Sequence, residues 1–369
     1  MPKKLNVGVI FGGRSAEHEV SLMSAKSIVA AMDKEKYQVH LIGITHQGKW
    51  LYAHSSKNAL EYKTVDEQSL TSTIIDYANA SGALIDNAAE DKNAVLANLD
   101  VVFPVLHGPY GEDGTIQGLF ELSNLAYVGC GVASSAIAMD KALAKQAFKA
   151  AGLLQMDYQI IKYGSFSADA SSVIGQIENQ FSYPVFIKPA NMGSSVGITK
   201  AHNQTELSEG LCHAFEFDNK IIIEASAENC AEVECAILGT DQPRASAVGE
   251  ILAGKEFYDY ETKYFDNKSA TIIPANLPQS VMDDVKAAAL IAFDAIDGSG
   301  LSRVDFFVNR DNHKIYINEV NTMPGFTPIS MYSKLWAAEG VEYSQLIDRL
   351  IELAVARHSA KARLCNHIA

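Results

Sequence analysis

The chain has 369 residues, enough for two or three domains with a substantial core, and its 48% hydrophobic and 20% charged composition is that of an ordinary soluble globular protein. A formal net charge of −14 argues against general affinity for nucleic acid or anionic membrane, and no apolar run approaches the ~20 residues of a membrane span. Five cysteines, odd in number and without a CxxC pair, read as reduced thiols of a cytoplasmic protein.

The short apolar run Leu5 to Phe11 reads as a first strand rather than a signal peptide. After Gly12-Gly13-Arg14-Ser15, apolar spacing predicts a helix over 16–32 with Ser15 as its N-cap, and then a second strand over 37–44. This opening predicts a parallel α/β domain. The G-x-G-x-x-G pattern of dinucleotide folds is incomplete, which disfavours a nicotinamide dehydrogenase. Residues from about 53 to 98 are polar and weakly patterned, an elaboration with a short strand around 72–75.

Leu99 to Leu106 predicts a buried strand, followed by the glycine-dense loop His107 to Gly114 and a helix over 115–122. Loops beyond the carboxyl ends of parallel strands are where α/β domains bind ligands, so His107 is either a site residue or a plain loop histidine. Asp140 suits the N-cap of a helix running to Ala151. Lys141 then lies at the helix's positive end, where it is either a surface lysine or the partner of an anion such as a phosphate.

The strand Tyr183 to Pro189 carries Lys188 near its end and leads into the loop Ala190 to Ile198, which includes Gly193-Ser194-Ser195. Small residues there let backbone amides close over phosphates, or simply make a hairpin; no G-K-[ST] is present, so a P-loop is disfavoured. Glu224 ends an apolar run, and Glu232 and Glu234 share one face of the next. A strand edge ending in a carboxylate could hold an adenine through backbone carbonyls and a ribose through the acid. Residues 256–264 are aromatic and charged, and with the polar trail to 269 they predict a long lid loop or an exposed aromatic patch. A helix follows over 280–296.

The stretch Arg303 to Gly325 contains two apolar runs, 304–308 and 315–320, flanking the polar pentapeptide 310–314, which predicts a hairpin. Alternation places Arg303 and Asp305 on one face, as it does Glu319 and Asn321. With Asn312 at the apex, Asp305 lies opposite Glu319 and Arg303 opposite Asn321. Facing carboxylates repel, and a hard divalent cation among oxygen ligands removes the repulsion. That makes a Mg²⁺ site with an adjacent arginine, suited to phosphoryl chemistry; the alternative is a solvated acidic hairpin. Thr322 to Pro328 cannot continue the strand and turns beside the site. An amphipathic helix over 343–358 closes the chain.

Seven segments in order, at 11–21 (FGGRSAEHEVS), 107–118 (HGPYGEDGTIQG), 139–141 (MDK), 188–197 (KPANMGSSVG), 256–264 (EFYDYETKY), 303–307 (RVDFF) and 318–327 (NEVNTMPGFT), resemble the D-alanine–D-alanine ligases of the ATP-grasp superfamily over essentially the whole chain. The resemblance implies an α/β (α+β) protein of three domains: a Rossmann-like unit at 1–133, and two ATP-grasp units at 134–224 and 225–369 with the lid at 256–269. It implies that a D-alanine carboxylate attacks the ATP γ-phosphate. The amine of a second D-alanine then displaces phosphate from the acyl phosphate, giving a dipeptide for peptidoglycan.

Carried over residue by residue, Asp305, Glu319 and Asn321 become ligands of Mg²⁺ or Mn²⁺, with two ions per site. Arg303 and the Gly325 amide become oxyanion stabilisers. Lys141, Lys188 and Lys263 contact phosphate, and Ser195, Phe257, Glu224 and Glu232 complete the ATP site. Glu17, Ser194 and Tyr264 join the three domains over the first D-alanine, with Glu17 on its ammonium and His107 near that subsite. Ser330 and Met331 hold the carboxylate of the second. ATP and D-alanine are the expected small-molecule partners, with a homodimer expected as well. Ala231 stands where an arginine is common in the family, a departure from its pattern. The rival readings are a D-alanine–D-lactate ligase, disfavoured because Tyr264 goes with amine acceptors, and a non-catalytic nucleotide-binding relative, disfavoured by the complete Arg303, Asp305, Glu319 and Asn321 set.

Overall fold

The computed structural model describes residues 3–53, 60, 64–65, 70–89, 94–252 and 270–364. Its first sheet has eight strands: β1 (Leu5–Gly12), β2 (Tyr37–Ile44), β3 (Trp50–Ala53), β4 (Thr71–Ile75), β5 (Ala83–Asp86), β6 (Val95–Asn98), β7 (Val101–Val105) and β8 (Ala126–Tyr127), in the order β6-β5-β4-β3-β2-β1-β7-β8. The β2-β1-β7-β8 half is parallel, as the opening pattern predicts. The polar elaboration does more than decorate this half, because β3 to β6 extend the sheet as antiparallel strands.

Alternation along β1 decides what covers each face. Val7, Val9 and Phe11 point into a cluster with Leu22 and Ile28 of α1 (His18–Ala31), while Ile10 joins Ile116 and Phe120 of α2 (Thr115–Leu122) on the other side. Helix α1 starts two residues later than its spacing suggests. Its N-cap is Glu17, with no side-chain capping bond, and the Ser15 hydroxyl instead donates to the His107 carbonyl.

Two helices follow, α3 (Val132–Met139) and α4 (Lys141–Ala150), and Asp140 caps α4 by accepting from the Ala142 and Leu143 amides. The second sheet, in the order β11-β10-β12-β9, is built from β9 (Tyr158–Lys162), β10 (Val185–Pro189), β11 (Thr199–Ala201) and β12 (Lys220–Ala225). One of its faces is covered by α6 (Ala170–Gln180) and α7 (Gln204–Ala214), the short α5 (Tyr163–Ala168) leading into α6. The third sheet, β15-β14-β13-β16-β17, comprises β13 (Cys230–Gly239), β14 (Arg244–Leu252), β15 (Ala270–Ile272), β16 (Gly300–Asn309) and β17 (Ile315–Asn321). Helix α8 (Gln279–Ala295) covers one face through Val285, Ala289 and Phe293.

Packing crosses the sequence boundaries expected for the domains. Ala144 and Phe148 of α4 belong to the same cluster as Val233 and Phe306 of the third sheet. After α9 (Met331–Ala338), the last helix, α10 (Tyr343–Ala362), returns to the first sheet, where Leu346 and Leu350 share a cluster with Val9. Glu342 and Gln345 form a reciprocal capping box at its start. Near its end, Arg357 donates to the carbonyls of Tyr127 and Gly129 and to the Ser299 hydroxyl, tying β8 to the entry of β16. Among the described residues no helix is long and apolar enough to cross a membrane, and the four described cysteines are free thiols.

Candidate active site

The β16–β17 hairpin has the register its spacing predicts: Asp305 pairs with Glu319 and Arg303 with Asn321. These four side chains lie on the partly open face, while Val304, Phe306 and Val320 are buried on the other. The simple apex-at-Asn312 count does not hold along the whole hairpin, because the register shifts between Asp305 and Phe306, with Phe306 opposite Ile317. Asn318 is therefore an extra residue, a bulge that sets the parity of the polar end independently of the turn. Without it, a one-residue slip would turn Glu319 into the core.

Charge in this cluster is more balanced than facing carboxylates suggest. The Arg303 guanidinium donates from Nε and Nη2 to the two Asp305 oxygens, both at 2.7 Å, and its Nε lies 2.9 Å from Glu234 Oε2. Burial opposes the Arg303 charge, but Asp305 and Glu234 outweigh it and hold the guanidinium well above its ordinary value. Repulsion between Asp305 and Glu319 is thus relieved partly by arginine, so it is weaker evidence for a cation than the sequence alone implies.

The donor chemistry nevertheless fits Mg²⁺ or Mn²⁺. Two carboxylates and an amide oxygen share one face, all donors are oxygen, and a carboxylate held by one arginine keeps further lone pairs free. Among the described residues no group of three His, Cys, Asp or Glu side chains gathers as a metal cluster, and the Asn321 amide oxygen is the further donor on this face. The Asn321 side-chain oxygen already accepts from the Met323 amide at 3.1 Å, which holds it in place. The turn that follows carries Gly325, where a Cβ would lie 3.4 Å from Ser330 Oγ; Ser330 in turn accepts from the Thr327 amide at the start of α9. Met331, the first residue of α9, packs toward Gly249 of β14.

The lysines converge from the second sheet and α4. Lys141 Nζ donates to the Met192 carbonyl at 2.6 Å, inside the Gly/Ser loop, and so props the loop from below. Ser194, Ser195 and Gly197 all have positive φ, which explains the small residues there. Lys188 is not a lone phosphate lysine. The buried Glu224 carboxylate is shared between Lys188 and Lys145, one oxygen to each. Burial alone would raise Glu224, but the two ammonium groups overcome it and hold the carboxyl at about 2. Both Glu224 oxygens thus order lysines, and Glu232 is the third residue of β13, opposite Phe307 and Ile251.

The first and second sheets meet at Glu17. The Ser194 hydroxyl donates to Glu17 Oε1, joining the Gly/Ser loop to the start of α1. Glycines flank this carboxylate closely: a Cβ on Gly108, whose φ is +73°, would come within 2.9 Å of Glu17 Oε2, and one on Gly193 within 3.1 Å. His107 is buried beside them, and its ring reaches the turn that follows β17. Its Nδ1 lies 2.9 Å from the Met323 carbonyl, which can only accept, so Nδ1 carries the proton. Burial lowers its pKa, leaving Nε2 to accept from Ser24 Oγ at 3.4 Å. Phe257, Lys263, Tyr264 and the whole 256–269 lid lie outside the described residues.

Three residues of this constellation escaped the sequence reading. Lys145 lies one helical turn beyond Lys141, flanked by the buried Ala144 and Phe148, and a buried lysine implies an acid. Glu234 carried a signal too, sharing a face with Glu232 and pairing with Asp305 across the sheet. Glu112 sits within the glycine-dense loop and accepts from the amides of Gly108 at 2.6 Å and Met323 at 3.1 Å. Burial, with the charges of Glu17 and Glu319, pushes it up to about 8.

A three-sheet molecule with lysines and a Gly/Ser loop on one side, and an acidic hairpin with an arginine on the other, is the arrangement of a nucleotide-using ligase. Comparison with known proteins is specific. The family models described as D-ala D-ala ligase N-terminus and C-terminus match residues 6–130 and 147–352. A D-alanine–D-alanine ligase from Acetivibrio thermocellus is 49% identical over 97% of this chain and 98% of its own length. Among solved structures, the VanG D-Ala:D-Ser ligase from Enterococcus faecalis superposes with a TM-score of 0.84 at 35% identity, over 95% of this chain and all of that one. The D-alanine–D-alanine ligase from Coxiella burnetii superposes at 0.83 and 34% identity, over 98% of this chain and 96% of that one. The chain belongs to the D-alanine–D-alanine ligase family.

Proposed function

We propose that the protein joins two D-alanines into D-alanyl-D-alanine, a peptidoglycan precursor, with conversion of ATP to ADP and phosphate. The observation that carries this reading is the register that puts Asp305 opposite Glu319 and Arg303 opposite Asn321, directly before the Gly325 turn. In this reading Glu17, steadied by Ser194, takes the ammonium of the first D-alanine. Lys141 and Lys188, with the amides of the Gly/Ser loop, face the phosphates. The carboxylate oxygen of the first D-alanine bonds to the γ-phosphorus as the β–γ bridging bond breaks, and ADP leaves. The amine of the second D-alanine then adds to the carbonyl carbon, and the C–O bond to phosphate breaks.

Charge develops on the carbonyl oxygen during that addition, and in this reading the Arg303 guanidinium and Gly325 amide stabilise it. Asp305, Glu319 and Asn321 would hold Mg²⁺ or Mn²⁺, two ions in all, which when bound neutralise the phosphate oxygens. Ser330, next to Gly325, and Met331, the residue after it, border the second subsite, and Phe257, Lys263 and Tyr264 would complete the site from the lid. The three-unit division at about 133 and 224, a cytoplasmic location and a homodimeric assembly belong to the same reading. Light scattering tests the last.

The acceptor is the open choice, because a structural relative is titled a D-Ala:D-Ser ligase. Competition of D-alanine, D-serine and D-lactate at neutral pH, with products weighed by mass spectrometry, decides it. Predominant D-alanyl-D-alanine is expected; a mixed dipeptide or depsipeptide as the main product would overturn the choice. ATP binding without any D-alanine-dependent phosphate release would favour a non-catalytic relative.

A further inference from the structure

The loop that closes on Glu17 and the loop that carries Gly325 belong to different sheets, yet they must keep a fixed separation. One end of the first D-alanine is held by the former and the other is polarised by the latter. The peptide of Met323, two residues before Gly325, is gripped from the first sheet's loop on both of its polar atoms. Its carbonyl lies 2.9 Å from His107 Nδ1, and its amide donates to Glu112 Oε1 at 3.1 Å. The other Glu112 oxygen accepts from the Gly108 amide at 2.6 Å, and Gly108 is the residue against which Glu17 packs. The Met323 amide is shared with the Asn321 side chain, so the same contact reaches the hairpin.

We propose that Glu112 is a positioning residue of the ligation: by accepting from the Gly108 and Met323 amides at once, it sets the distance between the ammonium pocket at Glu17 and the oxyanion donor at Gly325. The inference rests on the ligase reading above. A turn-closing role would need only the local bond to Gly108, whereas the second bond spans 211 residues of sequence. The residue type fits the task. Only a carboxyl side chain offers two acceptor oxygens at this length, and an amide would turn an NH₂ group against one of two N–H donors.

Glu112→Gln, which keeps the shape and removes one acceptor, tests this in the full-length protein. Steady-state ADP release is measured with Mg–ATP against D-alanine, nucleotide affinity by calorimetry, and ADP per dipeptide by product analysis. The expected result is a loss of roughly 10- to 100-fold in kcat/KM for D-alanine, the size of leaving one buried N–H donor without its acceptor. Nucleotide affinity should stay within about twofold, as one bond at the loop junction leaves the lysines untouched. ADP should exceed dipeptide, because a displaced Gly325 slows amine addition and lets water compete for the acyl phosphate. Glu112→Asp, which keeps the carboxyl but shortens the reach, carries the same expectation should the glutamine variant not fold. Wild-type constants in the variants, or an equal loss of nucleotide affinity, would overturn the proposal. A wild-type protein inactive on D-alanine would instead overturn the reading on which it rests.

Discussion

Replacing Glu224 by glutamine removes the acid between two buried lysines. Glu224 is 2% exposed, and its oxygens bind Lys145 and Lys188. Its folded-state value of about 2, against 4.5 for an ordinary glutamate, corresponds to about 3 kcal/mol of stability. The folded pKa is the lower one, so this stability is fully present above pH 4.5 and is lost as pH falls toward 2. In mid-window the loss runs at about 1.4 kcal/mol per pH unit. At pH 7 the glutamine variant leaves both lysines without their shared acid, and unpaired buried charge costs about 3–5 kcal/mol. Lys145→Met should cost less, about 1–3 kcal/mol, because Glu224 keeps Lys188 and only one oxygen is orphaned.

Urea titrations of nucleotide-free protein at pH 7 and at pH 4 and below would measure these differences. The gap between wild type and Glu224→Gln should narrow as the pH falls through 4.5. A gap under about 1 kcal/mol at pH 7, or one independent of pH, would refute the account of this triad. Weakened ATP binding should accompany the change, since the triad orders Lys188.

Other expectations follow from single contacts. Asp305→Ala and Glu319→Ala should each lower turnover on the order of 10²-fold or more, with the Mg²⁺ concentration for half-maximal rate raised and the circular dichroism unchanged; near-normal rates in both would contradict their role. Ser194→Ala removes the donor to Glu17 and should reduce kcat/KM for D-alanine by roughly 10- to 100-fold while leaving ATP affinity intact. Arg357→Ala unties α10 from Tyr127, Gly129 and Ser299 and should cost about 2–3 kcal/mol in urea unfolding without changing the turnover of the folded protein.

The hairpin register was legible because alternation and turn length constrain it together, and the bulge opposite Asp305 was not, since one extra residue leaves no mark in the hydrophobic pattern. Asp140 could be read as a cap from its position before an alanine-rich helix. Ser15 could not be rejected as one, because its actual partner, the His107 carbonyl, lies 92 residues away. The same holds for Lys145 with Glu224 and for Glu112 with Met323, pairs that only tertiary folding brings together. Amphipathicity showed that the final helix packs somewhere; that it packs on the first sheet as well as on the unit it follows in sequence is a matter of topology. Family resemblance, not periodicity, supplied the substrate.

The central claim is that a D-alanine carboxylate is phosphorylated before the peptide bond forms. D-Alanine labelled with ¹⁸O in its carboxyl group, incubated with unlabelled Mg–ATP in ordinary water, tests it directly by mass analysis of the phosphate released. Transfer of one ¹⁸O atom into each phosphate is the expected result, because the oxygen that attacks phosphorus leaves with it. Phosphate free of label, with dipeptide still formed, would contradict the account.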